Sequence, residues 1–247
     1  MSRAAFALAA ALSLGVLLVA CNVSRSPSPS PASALSPSTA RGTTDADPDV
    51  VRYVALGDSY TIGTSVQAEE RFPEQLVAAL PELPSLRLVA NLGVNGYTSA
   101  DLIREELPAL DALAPEFVTV LIGVNDVVQG VSTDRYEANL ITILDALLAR
   151  LPAERILAVA IPDYTVTPAG AAFGDPSVQS AGIQGNNAIM ERLAGERGIG
   201  FVDVFDISRE AAADRSLVAD DGLHPSGAQY ARWVERLVPV VERLLDR

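Results

Sequence analysis

From about residue 50 onwards, short apolar runs alternate along the chain with longer helix-type stretches. The short runs are rich in Val, Ile and Leu, and most lack the strict polar–apolar alternation of a half-buried strand. Strands of this kind are covered on both faces, as in parallel sheets. We predict five of them, at residues 51–56, 86–91, 117–122, 155–160 and 199–204.

Helices are predicted between these strands, at residues 74–80, 100–113, 134–151 and 178–197, and a final helix follows Pro225. Thr133-Asp134 and Ser177 are expected N-caps, and Gly198 is an expected C-cap. Parallel neighbours in a sheet need crossover connections, which the intervening helices supply. The pattern therefore predicts a three-layer α/β/α fold with a five-stranded parallel sheet, whose ligand crevice lies beyond the carboxyl ends of the strands.

The first fifty residues follow a different pattern. A short basic start precedes an apolar run from Ala4 to Val19, which is shorter than the ~20 residues of a comfortable membrane span. This predicts a signal peptide over residues 1–20. Residues 21–49 are dominated by Ser, Pro, Ala and Thr, which predicts a disordered tether. The globular domain is then expected to occupy residues 50–247.

The end of the apolar run, Leu18-Val19-Ala20-Cys21, resembles the lipobox of bacterial lipoproteins. In that motif the signal peptide is cut before a Cys that carries lipid. The resemblance implies an exported lipoprotein that is anchored through Cys21 to a membrane of the cell envelope, in the periplasm or at the cell surface. The alternative is an ordinary secretory signal in which Cys21 is incidental.

Composition excludes several classes of function. A net charge of −13 and a pI near 4.4 argue against a nucleic-acid partner, because phosphate backbones require clustered Lys and Arg. The chain holds one His and one Cys, too few for a zinc site built from those ligands. We therefore predict no metal and no cofactor.

Ser59 is the first candidate for chemistry, because Gly57-Asp58-Ser59 directly follows the first predicted strand and so lies at the crevice. A plain turn is the alternative, since Gly, Asp and Ser are common turn residues. Thr61 stands where a G-x-S-x-G elbow has its second Gly. An ordinary α/β-hydrolase is therefore disfavoured.

His224 is the only imidazole in the chain and follows Asp221 by three positions. A turn at Gly222 can bring the Asp221 carboxylate to one ring nitrogen, which leaves the other free to take a proton from a serine hydroxyl. An equally good explanation from this segment alone is a helix cap, with Pro225 opening the last helix at its first position.

Two further segments follow the second and third strands. Residues 91–99 contain Gly93 and Gly96, and the next segment runs Gly123-Val124-Asn125-Asp126. Each could be an ordinary turn. Together with the Ser and His segments, however, they supply a hydroxyl, a base, a free N–H and an amide donor. Acyl transfer needs that set, because donors must stabilise the oxyanion of its tetrahedral intermediate.

These segments resemble, in order, the sequence blocks of the SGNH or GDSL-type hydrolases. Gly57-Asp58-Ser59 matches the first block, residues 91–98 the second, residues 123–126 the third and residues 221–224 the last. The resemblance extends from about Tyr53 to the end of the chain. The third block departs mildly, since Val124 precedes the Asn where many members have a second Gly. The family fold is a flavodoxin-like α/β/α arrangement.

The resemblance implies a role for each matched residue. Ser59 is then the nucleophile, His224 its base and Asp221 the residue that orients the base. The oxyanion hole is formed by the backbone N–H groups of Ser59 and Gly96 and by the Asn125 side chain.

The expected activity is hydrolysis of carboxylic esters through an acyl-serine, as in an esterase or lysophospholipase. Small-molecule, lipid or sugar esters are the expected substrates. One alternative is an O-acetyl esterase or acyltransferase that acts on cell-wall or other polysaccharide. The other is a surface binding lipoprotein without catalysis.

Overall fold

The computed structural model describes residues 50–81 and 86–246. The predicted signal peptide, the lipidation site Cys21 and the predicted tether lie outside the described residues. Among the helices that are described, none has both the length and the apolar character needed to cross a membrane.

The predicted parallel sheet is confirmed. All five strands lie where the apolar runs placed them, in the order β2-β1-β3-β4-β5, and every neighbouring pair is parallel. Because β1 and β3 are adjacent at the centre, their carboxyl ends open onto the same edge of the sheet. The strands are β1 Val51–Gly57, β2 Leu86–Asn91, β3 Phe117–Leu121, β4 Ile156–Val159 and β5 Gly200–Val202.

Helices connect and cover the strands. The α-helices are α1 Ser59–Ile62, α2 Phe72–Ala79, α3 Ser99–Asp101, α4 Leu110–Leu113, α5 Val124–Val128, α6 Thr133–Leu148, α7 Pro176–Glu196, α8 Phe205–Arg209 and α9 Gly227–Leu245. Short 3₁₀ turns occur at Ala68–Glu70, Leu107–Ala109, Ala153–Arg155, Tyr164–Val166, Gly170–Phe173, Glu210–Ala212 and Arg215–Leu217.

Strand β1 shows why the apolar runs lack alternation. Tyr53 and Ala55 point into one hydrophobic core, where they pack with Trp233 of α9. Val54 and Leu56 point into a second core on the other face of the sheet, where α6 packs. All four strand residues are fully buried, so both faces require apolar side chains.

Four of the predicted helix ends are wrong by one or two residues. Ser132, rather than Thr133-Asp134, caps α6. Asp175, rather than Ser177, caps α7, because its carboxylate accepts from the N–H groups at the start of that helix. Gly198, at φ +70°, lies one residue beyond the C-cap of α7. Pro225 precedes the N-cap of α9 and does not open the helix.

The predicted helix over residues 100–113 is broken into shorter pieces. Helix α3 runs into a π-helical turn at Leu102–Glu106 and then into a 3₁₀ turn that contains Pro108, before α4 begins. Proline has no N–H to continue an α-helical ladder, and a π turn shifts the direction of the side chains that follow it. The result is that the Glu106 side chain is buried beneath the end of β1.

Candidate active site

A sharp turn at the end of β1 positions the predicted nucleophile. Gly57 has φ +151°, and a Cβ at this position would lie 2.2 Å from the carbonyl oxygen of Leu121, so only glycine fits. The Asp58 carboxylate accepts from the Tyr60 N–H at 3.0 Å and caps α1. Ser59 is the first residue of α1 and is 7% exposed. The strand therefore delivers Ser59 to the crevice, as predicted.

The predicted pair of His224 and Asp221 is formed. Asp221 Oδ2 lies 2.6 Å from His224 Nδ1, while Asp221 Oδ1 accepts from the backbone N–H groups of Leu223 and His224 at 2.8 and 3.0 Å. Gly222, at φ +73°, makes the turn that allows both contacts. The geometry leaves Nε2 as the imidazole nitrogen that can exchange a proton with a substrate.

Hydrogen bonds set the charge of Asp221. Partial burial acts to raise its pKa, but the donors from the His224 ring, the two backbone N–H groups and the Ser65 hydroxyl together lower the pKa to about 2. The carboxylate is therefore ionised at neutral pH. It then accepts the hydrogen on Nδ1, which fixes the tautomer of the ring.

Gly96 lies in the loop that follows β2, and Asn125 lies in the first turn of α5, just after β3. Gly96 has φ +83°, yet no atom lies within 4 Å of a Cβ built there, so its backbone angle alone favours glycine. Asn125 Nδ2 donates to the carbonyl oxygen of Tyr97 at 2.9 Å, which orients the amide. In the part of the chain that the structure describes, the N–H groups of Ser59 and Gly96 have no acceptor.

A cavity of about 240 Å³ brings the predicted residues together. Ser59, Gly96, Asn125 and His224 all line it, and Asp221 lies behind the His224 ring. Ser59 and His224 face this cavity without a hydrogen bond to each other, since the described side-chain partner of His224 is Asp221. The rest of the lining is largely apolar or aromatic: Tyr60, Asn95, Val124, Val128, Tyr164, Phe173 and Leu223.

The departure at Val124 affects this cavity directly. Val124 is buried, packs into the first hydrophobic core and contributes to the cavity wall. In the same cavity the Tyr60 ring lies near the His224 ring, with centroids 5.6 Å apart. The Tyr60 backbone is held in turn by the Tyr230 hydroxyl of α9, which donates to its carbonyl oxygen at 2.9 Å. Val124 and Asn125 thus line the same cavity.

Ser65 is a site residue that the sequence analysis missed. Its hydroxyl donates to Asp221 Oδ2 at 2.8 Å. It is also one of two described non-glycine residues with positive φ, at +67°, a conformation that costs free energy and is concentrated at functional sites. The contact joins positions 156 residues apart in the chain, so no local pattern could have revealed it.

A second missed contact braces the two loops of the predicted oxyanion hole. Asp126, next to Asn125, accepts from the Ser99 N–H at 2.8 Å and from the Ser99 hydroxyl at 2.5 Å. Asn139 of α6 donates to that hydroxyl at 2.9 Å. All three side chains are buried. This network fixes the loop after β2 against the loop after β3.

Two buried carboxyl groups lie beneath the nucleophile turn. Glu106 Oε2 accepts from the Gly57 N–H at 2.9 Å, and burial raises the pKa of Glu106 to about 9. Burial likewise raises the pKa of Asp58 to about 8. Asp58 Oδ2 and Glu106 Oε1 are buried without a hydrogen-bond partner among the described residues. Within residues 50–81 and 86–246, no cluster of three or more His, Cys, Asp or Glu side chains could hold a metal ion.

Asp163 serves a turn rather than the cavity, as the preference of Asp for turns favours. Its carboxylate accepts from the Thr165 N–H and caps a 3₁₀ turn. The other oxygen accepts from the Ser180 hydroxyl at 2.8 Å and from Arg209 at 2.5 Å. These partners account for a carboxylate that is almost fully buried.

Comparisons with known proteins bear on the family and the fold of the chain. Residues 55–232 match the model of the GDSL-like Lipase/Acylhydrolase family. No curated protein matches the chain in sequence.

Several solved structures share the fold. A lipolytic protein of the G-D-S-L family from Veillonella parvula is 16% identical, with a TM-score of 0.63 over 78% of this chain and 99% of its own. An acetyl xylan esterase from Geobacillus stearothermophilus is 22% identical, with a TM-score of 0.61 over 78% and 96%. The esterase EstA from Pseudoalteromonas sp. is 16% identical, with a TM-score of 0.59 over 79% and 99%.

Proposed function

Because the chain belongs to the GDSL-like lipase/acylhydrolase family and is an ester hydrolase, we propose that it cleaves carboxylic esters through an acyl-serine formed on Ser59. One observation carries the proposal. A single cavity gathers a hydroxyl, an imidazole backed by an ionised carboxylate, and donors from two loops. Those are the groups that acyl transfer requires, each at the carboxyl edge of the sheet.

In the first half-reaction Ser59 Oγ attacks the ester carbonyl carbon while His224 Nε2 takes the hydroxyl proton. Asp221 stabilises the imidazolium that results. The carbonyl oxygen becomes negative and accepts from the N–H groups of Ser59 and Gly96 and from the Asn125 amide. When the intermediate collapses, the carbon–oxygen bond to the alcohol breaks and His224 returns its proton to the alcohol oxygen. Water then attacks the acyl-serine by the same steps and restores Ser59.

The size and the apolar lining of the cavity favour a substrate with a small apolar acyl group. Val124, Val128, Phe173 and Leu223 offer no charge to the acyl chain. A volume of about 240 Å³ lies below the ~300–1,000 Å³ of typical ligand pockets. This supports short-chain esters over the long acyl chains of lysophospholipids.

Removal of acetyl groups from a sugar is a second candidate, since the same residues would perform it. The small cavity is the observation that favours it. Acetyl xylan esterase is the activity named for the Geobacillus stearothermophilus structure, which shares the fold at 22% identity. Acetate release from acetylated polysaccharide, compared with hydrolysis of a simple acetyl ester, distinguishes the two.

Replacement of Ser59 tests the central proposal. In Ser59→Ala we expect hydrolysis of p-nitrophenyl acetate to fall by at least ~10³-fold, because the nucleophile is lost while donors and cavity remain. Ser208→Ala is the control, since Ser208 is also buried but lies outside the cavity. Unchanged circular dichroism confirms folding. A Ser59→Ala protein as active as the control would contradict the acyl-serine.

We also propose that the protein works as an exported lipoprotein held at a membrane through Cys21. Support comes from the lipobox resemblance of residues 18–21. When the full chain is expressed in a bacterium, we expect it to enter the detergent phase on phase separation, whereas Cys21→Ser should stay in the aqueous phase. Equal partition of the two would leave Cys21 without a role in anchoring.

A further inference from the structure

A second cavity, here called the side cavity, adjoins the first and shares Asn95 with it. Its volume is about 500 Å³. One wall comes from the connection between α1 and α2, and the other from the loop after β2. The lining residues are Ile62, Gly63, Thr64, Ser65, Val66, Arg71, Gly93, Val94 and Asn95. An ester whose carbonyl sits at Ser59 could extend its alcohol part past Asn95 into this space.

Internal hydrogen bonds use the two hydroxyl hydrogens and one amide oxygen at this cavity. Thr64 Oγ1 donates to Asn95 Oδ1 at 2.5 Å, and Ser65 Oγ donates to Asp221 Oδ2 at 2.8 Å. The Asn95 amide nitrogen is thereby left as a donor without an acceptor among the described residues. Of these three side chains, only Asn95 therefore offers a donor to a ligand, since the hydroxyls of Thr64 and Ser65 have already donated their hydrogens.

Arg71 adds a cation to the same wall. Its side chain lies across Gly63, where a Cβ would come within 2.3 Å of Arg71 Cγ. Arg71 Nη1 is 3.8 Å from Glu74 Oε1, which is too long for a hydrogen bond. Arg71 Nε is buried and has no partner in the described structure. The Arg71 side chain is nevertheless 27% exposed, so a ligand with acceptor oxygens would meet the terminal nitrogens of the guanidinium rather than Nε.

The strained backbone of Ser65 links the two cavities. Ser65 keeps φ +67° while its hydroxyl reaches the carboxylate of the catalytic pair. Surroundings that hold a non-glycine residue in this conformation are characteristic of ligand clamps and active sites. The side cavity therefore lies next to the pair of Asp221 and His224 and shares a residue contact with it.

We propose that the side cavity binds the alcohol part of the ester, and that Arg71 and the Asn95 amide select an alcohol that carries a carboxylate. A guanidinium pairs with a carboxylate through two parallel hydrogen bonds, a geometry that a neutral hydroxyl cannot match. The net charge of −13 repels anions at long range, so recognition depends on these local donors. This inference rests on the proposed function.

Two acetyl esters that differ by one charge provide the test. In 4-acetoxybenzoate and its methyl ester the acyl group and the aromatic ring are the same. We compare the ratio of the two kcat/KM values between variants. The intrinsic difference in reactivity of the two esters is the same for every variant and therefore cancels. In Arg71→Gln, which keeps the carbon stem over Gly63, we expect the acid-to-methyl-ester ratio to fall roughly tenfold, because hydrogen bonds to a charged group are lost. Arg71→Lys should retain part of the preference.

Arg135→Gln is the matched control. It makes the same change in net charge at an exposed position in the first turn of α6, outside both cavities. Its ratio should equal that of the parent protein. An Arg71→Gln ratio equal to that of the control would overturn the proposal. That outcome includes an equal loss of kcat/KM for both esters, which would indicate that the side cavity binds a neutral alcohol.

A binding measurement separates this proposal from the proposed function. Calorimetric titration of Ser59→Ala with 4-hydroxybenzoate, the product alcohol, should show binding that the further change Arg71→Gln weakens roughly tenfold. If the parent protein cleaves neither ester but this binding occurs, the side cavity is upheld and the acyl-serine fails. Binding that is equal with and without Arg71 overturns the side cavity, whatever the activity.

Discussion

Two carboxyl groups near the nucleophile turn differ in charge at neutral pH: Asp221 is ionised and Glu106 is neutral. Asp221, on the cavity side, accepts from four donors, and its pKa falls to about 2. Glu106, beneath the turn, accepts from the single N–H of Gly57, and burial raises its pKa to about 9. The number of donors, set against the loss of water, therefore decides the charge. The fold keeps one carboxylate ionised beside the base and a neutral acid under the strand.

Removal of the charge on the cavity side should have the largest effect. In Asp221→Asn the side chain no longer carries the negative charge that accepts the hydrogen on His224 Nδ1. The imidazole can then take the tautomer with its hydrogen on Nε2, which cannot accept a proton from Ser59. We expect kcat for p-nitrophenyl acetate to fall by roughly 10³–10⁴-fold, as for the corresponding change in other serine triads.

Asp220→Asn is the control for that variant, because it makes the same charge change at the adjacent, exposed position. It should retain most of the activity. A kcat of Asp221→Asn within tenfold of the control would show that the ionised carboxylate is not needed, and the contrast with Glu106 would lose its functional meaning.

The buried acid should affect stability rather than catalysis. A native pKa raised to about 9 means that the folded protein keeps a proton which the unfolded chain releases above its ordinary value of ~4.3. The free energy of unfolding then decreases as pH rises from about 4 to about 9. Glu106→Gln should flatten this slope, so that the loss of stability between pH 5 and pH 8 shrinks by at least ~1 kcal/mol.

Urea unfolding of parent, Glu106→Gln and Glu105→Gln at the two pH values measures that difference. Glu105 is the neighbouring acid, with half of its side chain exposed, and its replacement should leave the slope unchanged. A steeper or equal slope in Glu106→Gln would mean that Glu106 is ionised in the native protein, and the comparison with Asp221 would be wrong.

Much of the fold could be predicted, because a strand covered on both faces must be apolar at every position, as Tyr53 and Val54 are. Helix ends were harder. Ser132 and Asp175 cap their helices, but neighbouring Thr, Asp and Ser residues have similar capping preferences. The helix over residues 100–113 was wrong because a π turn and then Pro108 interrupt it. The hydrogen bond of Glu106 with Gly57 at the end of the π turn is a tertiary contact that helix propensity does not contain.

Some residues of the site could likewise be predicted from the sequence, and others could not. Ser59 and Asn125 could be placed at the crevice because each closely follows a strand, and His224 because it lies just before the last helix. The structure brings the three side chains to one cavity. Their catalytic roles remain a proposal. Ser65 and Arg71 gave no signal in the sequence, since their importance arises from contacts made only in the folded protein.

The hydrogen bond from the Tyr230 hydroxyl to the Tyr60 carbonyl spans 170 positions of the chain. At the ribosome Tyr60 emerges long before Tyr230, and the segment with His224 is made long after the segment with Ser59. A nascent polypeptide therefore displays its serine long before any base can reach it. Under the proposed mechanism, ester hydrolysis can begin only after α9 has docked and His224 has reached the cavity, so a partly synthesised chain would cleave no ester.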